Sequence, residues 1–238
     1  MGRGADWDAV AADLGPAARL LAPDLAHHGA AADAGPAPEA SGVTLEAEGD
    51  RLAAALSEPV VLAGYSMGGR LALTLALRHP EAVRALVLVS AQPGLRSPEA
   101  RAARRALDRE RAREIVADYA AFLDRWYRAP LWGGLPEPLR QRLVADRLAH
   151  NRPLALARSL EGMGTGRMEP LWDGLSRIRV PCWAVAGGDD AKYVALAGEM
   201  AREGPFRVHV VPGAGHALLA EAPGAVADVL RRALFLDA

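Results

Sequence analysis

The chain has 238 residues, enough for one α/β domain with a subdomain, and its 28 basic residues nearly balance 29 acidic ones. The net charge of -1 gives no general attraction to nucleic acid or to a membrane surface, and no run of eighteen apolar residues predicts a membrane span. We therefore expect a soluble cytoplasmic protein, a monomer or homodimer, whose partner is a small molecule rather than nucleic acid or a membrane.

Short apolar runs alternate with amphipathic segments along the chain, as in βαβ units. The apolar runs predict buried parallel strands at 19–24, 59–65, 84–91, 180–187 and 206–213. Helical spacing covers 44–57, 67–79, 191–203 and 221–235. Thr44 is a candidate N-cap, with Glu46 and Glu48 in the first turn of its helix. These elements predict an α/β fold with a doubly wound, mostly parallel sheet.

The strand signal is absent between residues 93 and 172, where several helices split by prolines are predicted. We expect this segment to be a helical cap subdomain inserted into a core formed by 1–92 and 173–238. The Ala/Pro/Gly-rich stretch 29–42 predicts a surface loop.

The motif GYSMG at residues 64–68 fits the pattern G-x-S-x-G. It follows a predicted strand and opens a predicted helix, the context in which this pattern forms a nucleophile elbow presenting Ser66. We expect glycine at 64 and 68 because side chains there would collide across the turn. An ordinary glycine-rich turn is the alternative.

A serine needs an imidazole within hydrogen-bond reach and a carboxylate that orients it. His216 follows the last predicted strand and is the candidate imidazole, whereas the other histidines are assigned to surface or packing roles: His27, His28, His79, His150 and His209. The turn GGDDAKY offers Asp189 or Asp190 as the acid, and either can instead be a turn or N-cap residue.

The single cysteine, Cys182, lies in the apolar run VPCWAVAG and predicts a small buried hydrophobe, not a disulfide or a metal ligand.

Residues 101–113 hold six arginines against two acids, which indicates a solvated helix face with ion pairs. One or two of these arginines could still turn inward and bind substrate carboxylates. Arg70, one turn into the elbow helix, is better placed. Trp126, Tyr127 and Trp132 indicate a subdomain core or a pocket wall.

Several stretches resemble one group of proteins: GYSMGGRLAL, QPGLRSPEARAARRALDRERA, LDRWYRAPLW, LVADR, GGDDAKY and GAGHALLAEAP. On these residues the chain resembles the α/β-hydrolase superfamily and, within it, the 2-succinyl-6-hydroxy-2,4-cyclohexadiene-1-carboxylate (SHCHC) synthases of menaquinone biosynthesis, which are pyruvate-eliminating lyases. The resemblance implies an α/β-hydrolase fold and no cofactor or metal.

The resemblance also implies site residues. The triad would be Ser66, Asp190 and His216, with Asp190 preferred over Asp189 because the family's acid precedes x-K-aromatic. The family binds substrate carboxylates at the positions of Arg70, Arg104 and Arg147, and lines the pocket at Tyr65 and Trp126. The backbone N–H of Met67 would be one oxyanion donor.

The reaction implied is removal of a ring proton from a small polycarboxylate and loss of pyruvate. The triad alone suits an ester or carbon–carbon bond hydrolase equally well. A third hypothesis is a degenerate protein of this fold that only binds a ligand. The chain departs from the family at Gly188, where glutamate is usual. Relatives also begin with two or more strands and an HGF-type loop, whereas this chain opens with MGRGADWD; we expect about twenty further residues in the full protein.

Overall fold

The structure is a computed structural model that describes residues 1–32 and 43–235; most of the predicted loop 29–42 lies outside these residues. Contacts between residues divide the chain into two compact units. The sheet unit contains 7–21, 45–94 and 170–235, and the helical unit contains 1–6, 22–32, 43–44 and 95–169. The predicted subdomain boundaries, at 93 and 172, remain a prediction.

The sheet of the first unit has four parallel strands among the described residues, in the spatial order β1-β2-β3-β4: β1 Val60–Tyr65, β2 Val83–Val89, β3 Cys182–Gly187 and β4 Phe206–Val211. The register pairs Leu88 with Ala184. The central strands β2 and β3 are almost wholly buried, which explains their continuous apolar sequences. Four of the predicted strands are therefore confirmed, with ends that differ from the predicted ones by two residues at most.

The predicted strand at 19–24 is wrong, because these residues form no strand. Leu20 packs against the core, but Leu21 is 67% exposed, so the run does not lie in a sheet interior. Pro23 has no N–H to give to a ladder. The Asp24 carboxylate accepts hydrogen bonds from the backbone N–H groups of Gly4 and Ala30, so this residue joins neighbouring loop segments.

Helices are numbered in chain order, and those of the sheet unit are α1 Asp8–Leu14, α2 Leu45–Ala54, α3 Met67–Arg78, α8 Ala191–Glu203, α9 Leu218–Glu221 and α10 Pro223–Leu234. Those of the helical unit are α4 Pro98–Ala117, α5 Tyr119–Trp126, α6 Glu137–His150 and α7 Pro153–Met163. None of the helices in the described ranges is both long and apolar enough to cross a membrane.

Helices cover both faces of the sheet. On one face α1 and α10 pack against alternate residues of β2 and β3, including Val87 and Val185. On the other face α2, α3 and α8 pack against the intervening residues, including Leu88 and Ala184. An α/β sheet covered on both faces is the predicted fold class, which is confirmed.

Two details of the predicted elements change in the structure. The helix predicted at 221–235 is α10, which begins at Pro223, and a short helix, α9, precedes it; Pro223 cannot continue α9 but fits the first turn of a new helix. The helix predicted at 44–57 ends at Ala54. Cys182 is fully buried as a free thiol, as predicted, and burial raises its pKa to about 12.

The helical unit has its own apolar core. Side chains of α4, α5 and α7 form it, among them Ile115, Leu123 and Leu156. Asp118 separates α4 from α5 and caps the second helix, since its side chain accepts a hydrogen bond from the N–H of Ala121. This break is therefore made by a capping residue and not by a proline.

An ion-pair cluster joins α2 to the end of α3. The Asp50 carboxylate accepts hydrogen bonds from Arg78, at 2.9 and 2.7 Å, and lies 2.6 Å from His79 Nε2. Arg78 first and His79 second lower the pKa of Asp50 to about 2. The folded pKa is below the unfolded value, so this stabilisation is present above the unfolded pKa and is lost as the pH falls through the folded pKa.

We expect Asp50→Asn to remove this acid-sensitive contribution. The free energy of unfolding of the variant should fall less steeply than that of the wild type between about pH 4 and pH 2. Urea denaturation at a series of pH values measures the slope, with Glu58→Gln at an exposed site as the control. Equal slopes for wild type and Asp50→Asn would contradict the prediction.

Candidate active site

Ser66 lies between β1 and α3, at a sharp bend of the backbone. Its φ of 51° and ψ of -107° fall in a region that non-glycine residues rarely adopt. The N–H of Ser66 donates to the carbonyl of Val89 on β2, and its own carbonyl accepts from the N–H of Arg70 in α3. A strained serine between a strand and a helix is the geometry of a nucleophile elbow.

The glycines of the elbow are only partly those predicted. A Cβ at Gly64 would lie 2.2 Å from the carbonyl oxygen of Gly68, so glycine is required there. The prediction for Gly68 is wrong, because a Cβ at that position meets nothing within 4 Å. Gly69 is the second constrained glycine, since its Cβ would lie 2.4 Å from the Cβ of Ala91. The crowding is thus one residue further into α3 than the motif indicates.

Three side chains at this edge of the sheet form a hydrogen-bonded chain. His216 Nε2 lies 3.2 Å from Ser66 Oγ, and His216 Nδ1 lies 2.8 Å from Asp190 Oδ2. A carboxylate only accepts hydrogen bonds, so Nδ1 carries the proton and Nε2 is left to accept the serine hydroxyl. His216 is 2% exposed, whereas Ser66 is partly exposed. This arrangement prepares the serine oxygen to lose its proton to the imidazole.

Of the two candidate acids, the structure places Asp190 against His216. Its second carboxylate oxygen, Oδ1, accepts a hydrogen bond from the N–H of Tyr193 at 3.3 Å, so Asp190 also caps α8. Asp189 is exposed. The loop is fixed by its backbone, because the N–H of Gly188 donates to Val211 and that of Asp189 donates to Ala214. Glutamate at position 188 is therefore not needed to hold Asp190 in place.

Two tyrosine rings flank the His216 imidazole. The ring centroid of Tyr193 is 4.7 Å from that of His216, and the centroid of Tyr65 is 5.7 Å away. The side-chain amide of buried Gln92 donates to the Tyr193 hydroxyl at 3.4 Å. The sequence marked Tyr65 and the aromatic after Lys192, whereas Gln92, which follows β2 and opens the stretch QPGLRSPEARAARRALDRERA, was not among the predicted site residues.

Arg70 and Met67 lie on α3 close to Ser66. Arg70 is 7% exposed and is one helical turn from the serine. Met67 is the first residue of α3, so its backbone N–H belongs to the positive end of the helix. These positions agree with the geometry expected of an oxyanion donor and a nearby cation.

In the helical unit, Arg104 and Trp126 each have a defined neighbour. The Arg104 Nε donates to Asp108 Oδ1 at 2.7 Å. Trp126 is half-buried and stacked on Phe122, with ring centroids 5.9 Å apart, so it belongs to the edge of the apolar core. The sequence allowed this tryptophan to belong either to the subdomain core or to a pocket wall, and its stacking on Phe122 fits both roles.

Arg147 is enclosed by other side chains of the helical unit and is 4% exposed. Its guanidinium donates two hydrogen bonds to Asp6, at 2.7 and 2.8 Å, one to Asp146 and one to the Tyr127 hydroxyl. Burial alone lowers the pKa of Arg147, but Tyr127 and Asp6 more than offset this and raise it. Most of its donors are therefore already used within the protein.

No group of three or more His, Cys, Asp or Glu side chains within 1–32 and 43–235 is arranged to hold a metal ion. His28 is a buried histidine outside the hydrogen-bonded chain, and the backbone holds it. His28 is 2% exposed and its Nδ1 lies 3.0 Å from the carbonyl oxygen of Ala26. Burial lowers the pKa of His28 to about 3, so it remains neutral at physiological pH.

A parallel sheet with a serine, a histidine and an aspartate hydrogen-bonded at its strand ends defines an α/β hydrolase. The chain belongs to the alpha/beta hydrolase family, whose model matches residues 2–229.

Among curated proteins, the chain is similar to a Bacillus subtilis (strain 168) protein assigned as a 2-succinyl-6-hydroxy-2,4-cyclohexadiene-1-carboxylate synthase. The two sequences are 41% identical over 169 residues, and the aligned part covers 69% of this chain. The aligned part spans 61% of that relative's length. Among solved structures, it is similar to MenH from S. aureus, with 29% identity, a TM-score of 0.75, and coverage of 80% of this chain and 75% of that chain.

The fold is also shared with enzymes of other activities. A thermophilic esterase from Thermogutta terrifontis has a TM-score of 0.79 over 97% of this chain and 84% of its own, at 24% identity. At that identity the likeness shows the fold alone, and specificity depends on the residues around the serine.

Proposed function

We propose that the protein is a cytoplasmic lyase that eliminates pyruvate from 2-succinyl-5-enolpyruvyl-6-hydroxy-3-cyclohexene-1-carboxylate to give SHCHC in menaquinone biosynthesis. The observation that carries the proposal is the Ser66–His216–Asp190 hydrogen-bonded chain in a sequence 41% identical to a protein assigned that activity. The proposed substrate is a small polycarboxylate, and the reaction needs no cofactor.

In the proposed mechanism Ser66 is a base and not a nucleophile. His216 Nε2 accepts the hydroxyl proton, and Ser66 Oγ takes a proton from the substrate ring. The electrons of the broken C–H bond form a new ring C=C bond, the existing ring C=C bond shifts by one position, and the C–O bond to the enolpyruvyl group breaks. The departing enolate of pyruvate takes the proton that His216 holds and becomes pyruvate, which restores neutral His216 and the Ser66 hydroxyl. No water attacks, and no acyl-enzyme forms.

The arginines account for the charge of the substrate, which has three carboxylates. Arg70 lies one turn from Ser66, and we assign it to a carboxylate close to the reacting carbon. Arg104 is assigned to another from the proposed cap, residues 93–172. Arg147 is already held by Asp6, so the substrate-binding role predicted for it requires that carboxylate to be displaced. Arg70 and Arg104 are therefore the first candidates.

The remaining predicted residues complete the proposed pocket. Tyr65 and Trp126 are assigned to its wall, since each presents an aromatic face beside a polar side chain. The N–H of Met67 is assigned to the oxygen on which negative charge develops in the transition state.

A carboxylic-ester or carbon–carbon bond hydrolase is the second candidate. The observation that favours it is the elbow itself, because a serine hydrogen-bonded to a histidine at a strained turn suits acyl transfer as well as proton abstraction. In that case Ser66 would attack a carbonyl carbon and form an acyl-enzyme.

The two candidates are separated by their products. The purified protein is incubated with the proposed substrate, with pyruvate release followed through lactate dehydrogenase, and separately with a nitrophenyl ester. We expect pyruvate release and slow ester turnover, both in excess of a Ser66→Ala control. Fast ester turnover without pyruvate release would reject the lyase and favour the hydrolase.

A further inference from the structure

Three charged side chains of α4 lie on one face of the helix, at spacings of four and three residues: Arg104, Asp108 and Arg111. Arg104 Nε donates to Asp108 Oδ1 at 2.7 Å, and Arg111 Nη1 lies 3.9 Å from the same oxygen. Two guanidinium groups thus face one carboxylate oxygen. The cluster carries one positive charge more than its single acid neutralises.

This excess charge is held partly out of water. The side chain of Asp108 is 3% exposed, and those of Arg104 and Arg111 are each 27% exposed. Glu114, another acid of α4, is paired with Arg125 at 3.0 Å. Burial first and the Arg104 charge second lower the pKa of Arg111, and the opposing effects of Asp108, Glu114 and Glu110 do not fully offset them. A half-buried cation that is only partly compensated is unfavourable for the protein alone, and a bound anion reduces that cost.

The Arg111 guanidinium is also oriented. Its central carbon lies 5.0 Å from the centroid of the Trp126 ring, and Trp126 is itself stacked on Phe122. Arg111 makes no hydrogen bond to any of the residues that the structure describes. This cation–π contact holds the guanidinium beside the ring, and its N–H donors remain for a ligand.

We propose that Arg111, together with Arg104, binds a carboxylate group of the substrate and that Arg111 is a specificity-determining residue of this protein. The inference rests on the proposed function, and it singles out Arg111 from the arginines of residues 101–113, where the resemblance implied only Arg104. A planar carboxylate matches the fork of an arginine that is already held beside an aromatic ring, and it supplies the negative charge that the cluster lacks.

The test compares Arg111→Met with Arg113→Met. Methionine keeps part of the apolar stem and removes the charge, and Arg113 is an exposed arginine of the same helix. For pyruvate release we expect Arg111→Met to raise KM about 10- to 100-fold with a smaller change in kcat, as for the loss of a charge-assisted contact made in both ground and transition states. The KM of Arg111→Lys should fall between those of wild type and Arg111→Met, and the KM of Arg113→Met should stay within about twofold of wild type.

Binding is measured independently of turnover. Isothermal titration of the proposed substrate into Ser66→Ala protein should show the same rise in Kd when Arg111→Met is added. A structural role for Arg111 would instead lower the thermal midpoint and reduce kcat and binding together. Equal KM values for Arg111→Met and Arg113→Met, in an enzyme that releases pyruvate, would overturn the inference and leave the proposed function standing.

If the wild type releases no pyruvate, the proposed function fails, and titration with succinate decides the inference. Weaker succinate binding in Arg111→Met but not in Arg113→Met would support a carboxylate site. Equal binding in the two variants, or none in the wild type, would overturn it.

Discussion

Ser66→Ala is expected to lower kcat for pyruvate release about 10²- to 10⁴-fold, the usual contribution of a positioned general base. The hydroxyl accounts for this because it is the group that His216 contacts, at 3.2 Å, and no other atom of residue 66 can carry the proton. Single-turnover release of pyruvate measures the effect. KM should change little, since the oxygen acts on the reacting carbon and not on the carboxylates.

The matched control is Ser90→Ala. Ser90 also follows a strand at this edge of the sheet, has a positive φ of 47° and is 1% exposed, but its hydroxyl has no hydrogen-bond partner among the described residues. We expect activity close to wild type. If Ser90→Ala loses as much activity as Ser66→Ala, the effect belongs to the sheet edge in general and the assignment of Ser66 as base is wrong.

The double variant Ser66→Ala/His216→Ala tests whether the hydrogen-bonded side chains of Ser66 and His216 act as a unit in catalysis. Once the serine hydroxyl is absent, His216 has no proton to accept from it, so the double variant should be little slower than Ser66→Ala alone. Multiplicative losses would indicate that His216 acts on the substrate directly. For ester hydrolysis, loss of the serine typically costs about 10⁶-fold, so the size of the effect also separates base from nucleophile.

The sequence predicted the hydrogen-bonded chain because each member has a local signature. Ser66 sits in a glycine pattern between a strand and a helix, and Asp190 and His216 each follow a strand of the same parallel sheet. The carboxyl ends of parallel strands share one edge, so residues 150 positions apart are brought together by topology alone. Identifying three strands was therefore enough to place Ser66, His216 and the pair Asp189 and Asp190, whereas the choice of Asp190 came from the resemblance.

Other features depend on contacts that no local pattern encodes. Asp6 binds Arg147 across 141 residues, and neither residue type nor spacing indicates that pair. The hydrogen bond from Gln92 to Tyr193 likewise joins two separate loops. The run at 19–24 has the composition of a strand, but an apolar run becomes a strand only when a partner satisfies its backbone.

Gly64→Ala is expected to destabilise the protein by about 3 kcal/mol or more, at the upper end of overpacking effects. The new Cβ would lie 2.2 Å from the Gly68 carbonyl oxygen and 2.7 Å from the Cα of Gly69. Both are backbone atoms at the start of α3, so no side chain can rotate away. The helix must move relative to β1, and Ser66 moves with it. Urea denaturation measures the loss, and pyruvate release should fall in the molecules that remain folded.

Gly68→Ala is the matched control, because it lies in the same motif and adds the same methyl group. Its Cβ meets nothing within 4 Å, and Gly68 is not among the glycines with positive φ. Alanine is favoured over glycine in a helix by up to about 1 kcal/mol, so this variant should be unchanged or slightly more stable. Equal tolerance of Gly64→Ala and Gly68→Ala would contradict the tight approach of β1 to α3. That approach raises Ser66 above the sheet, and without it the hydroxyl would lose its alignment with His216.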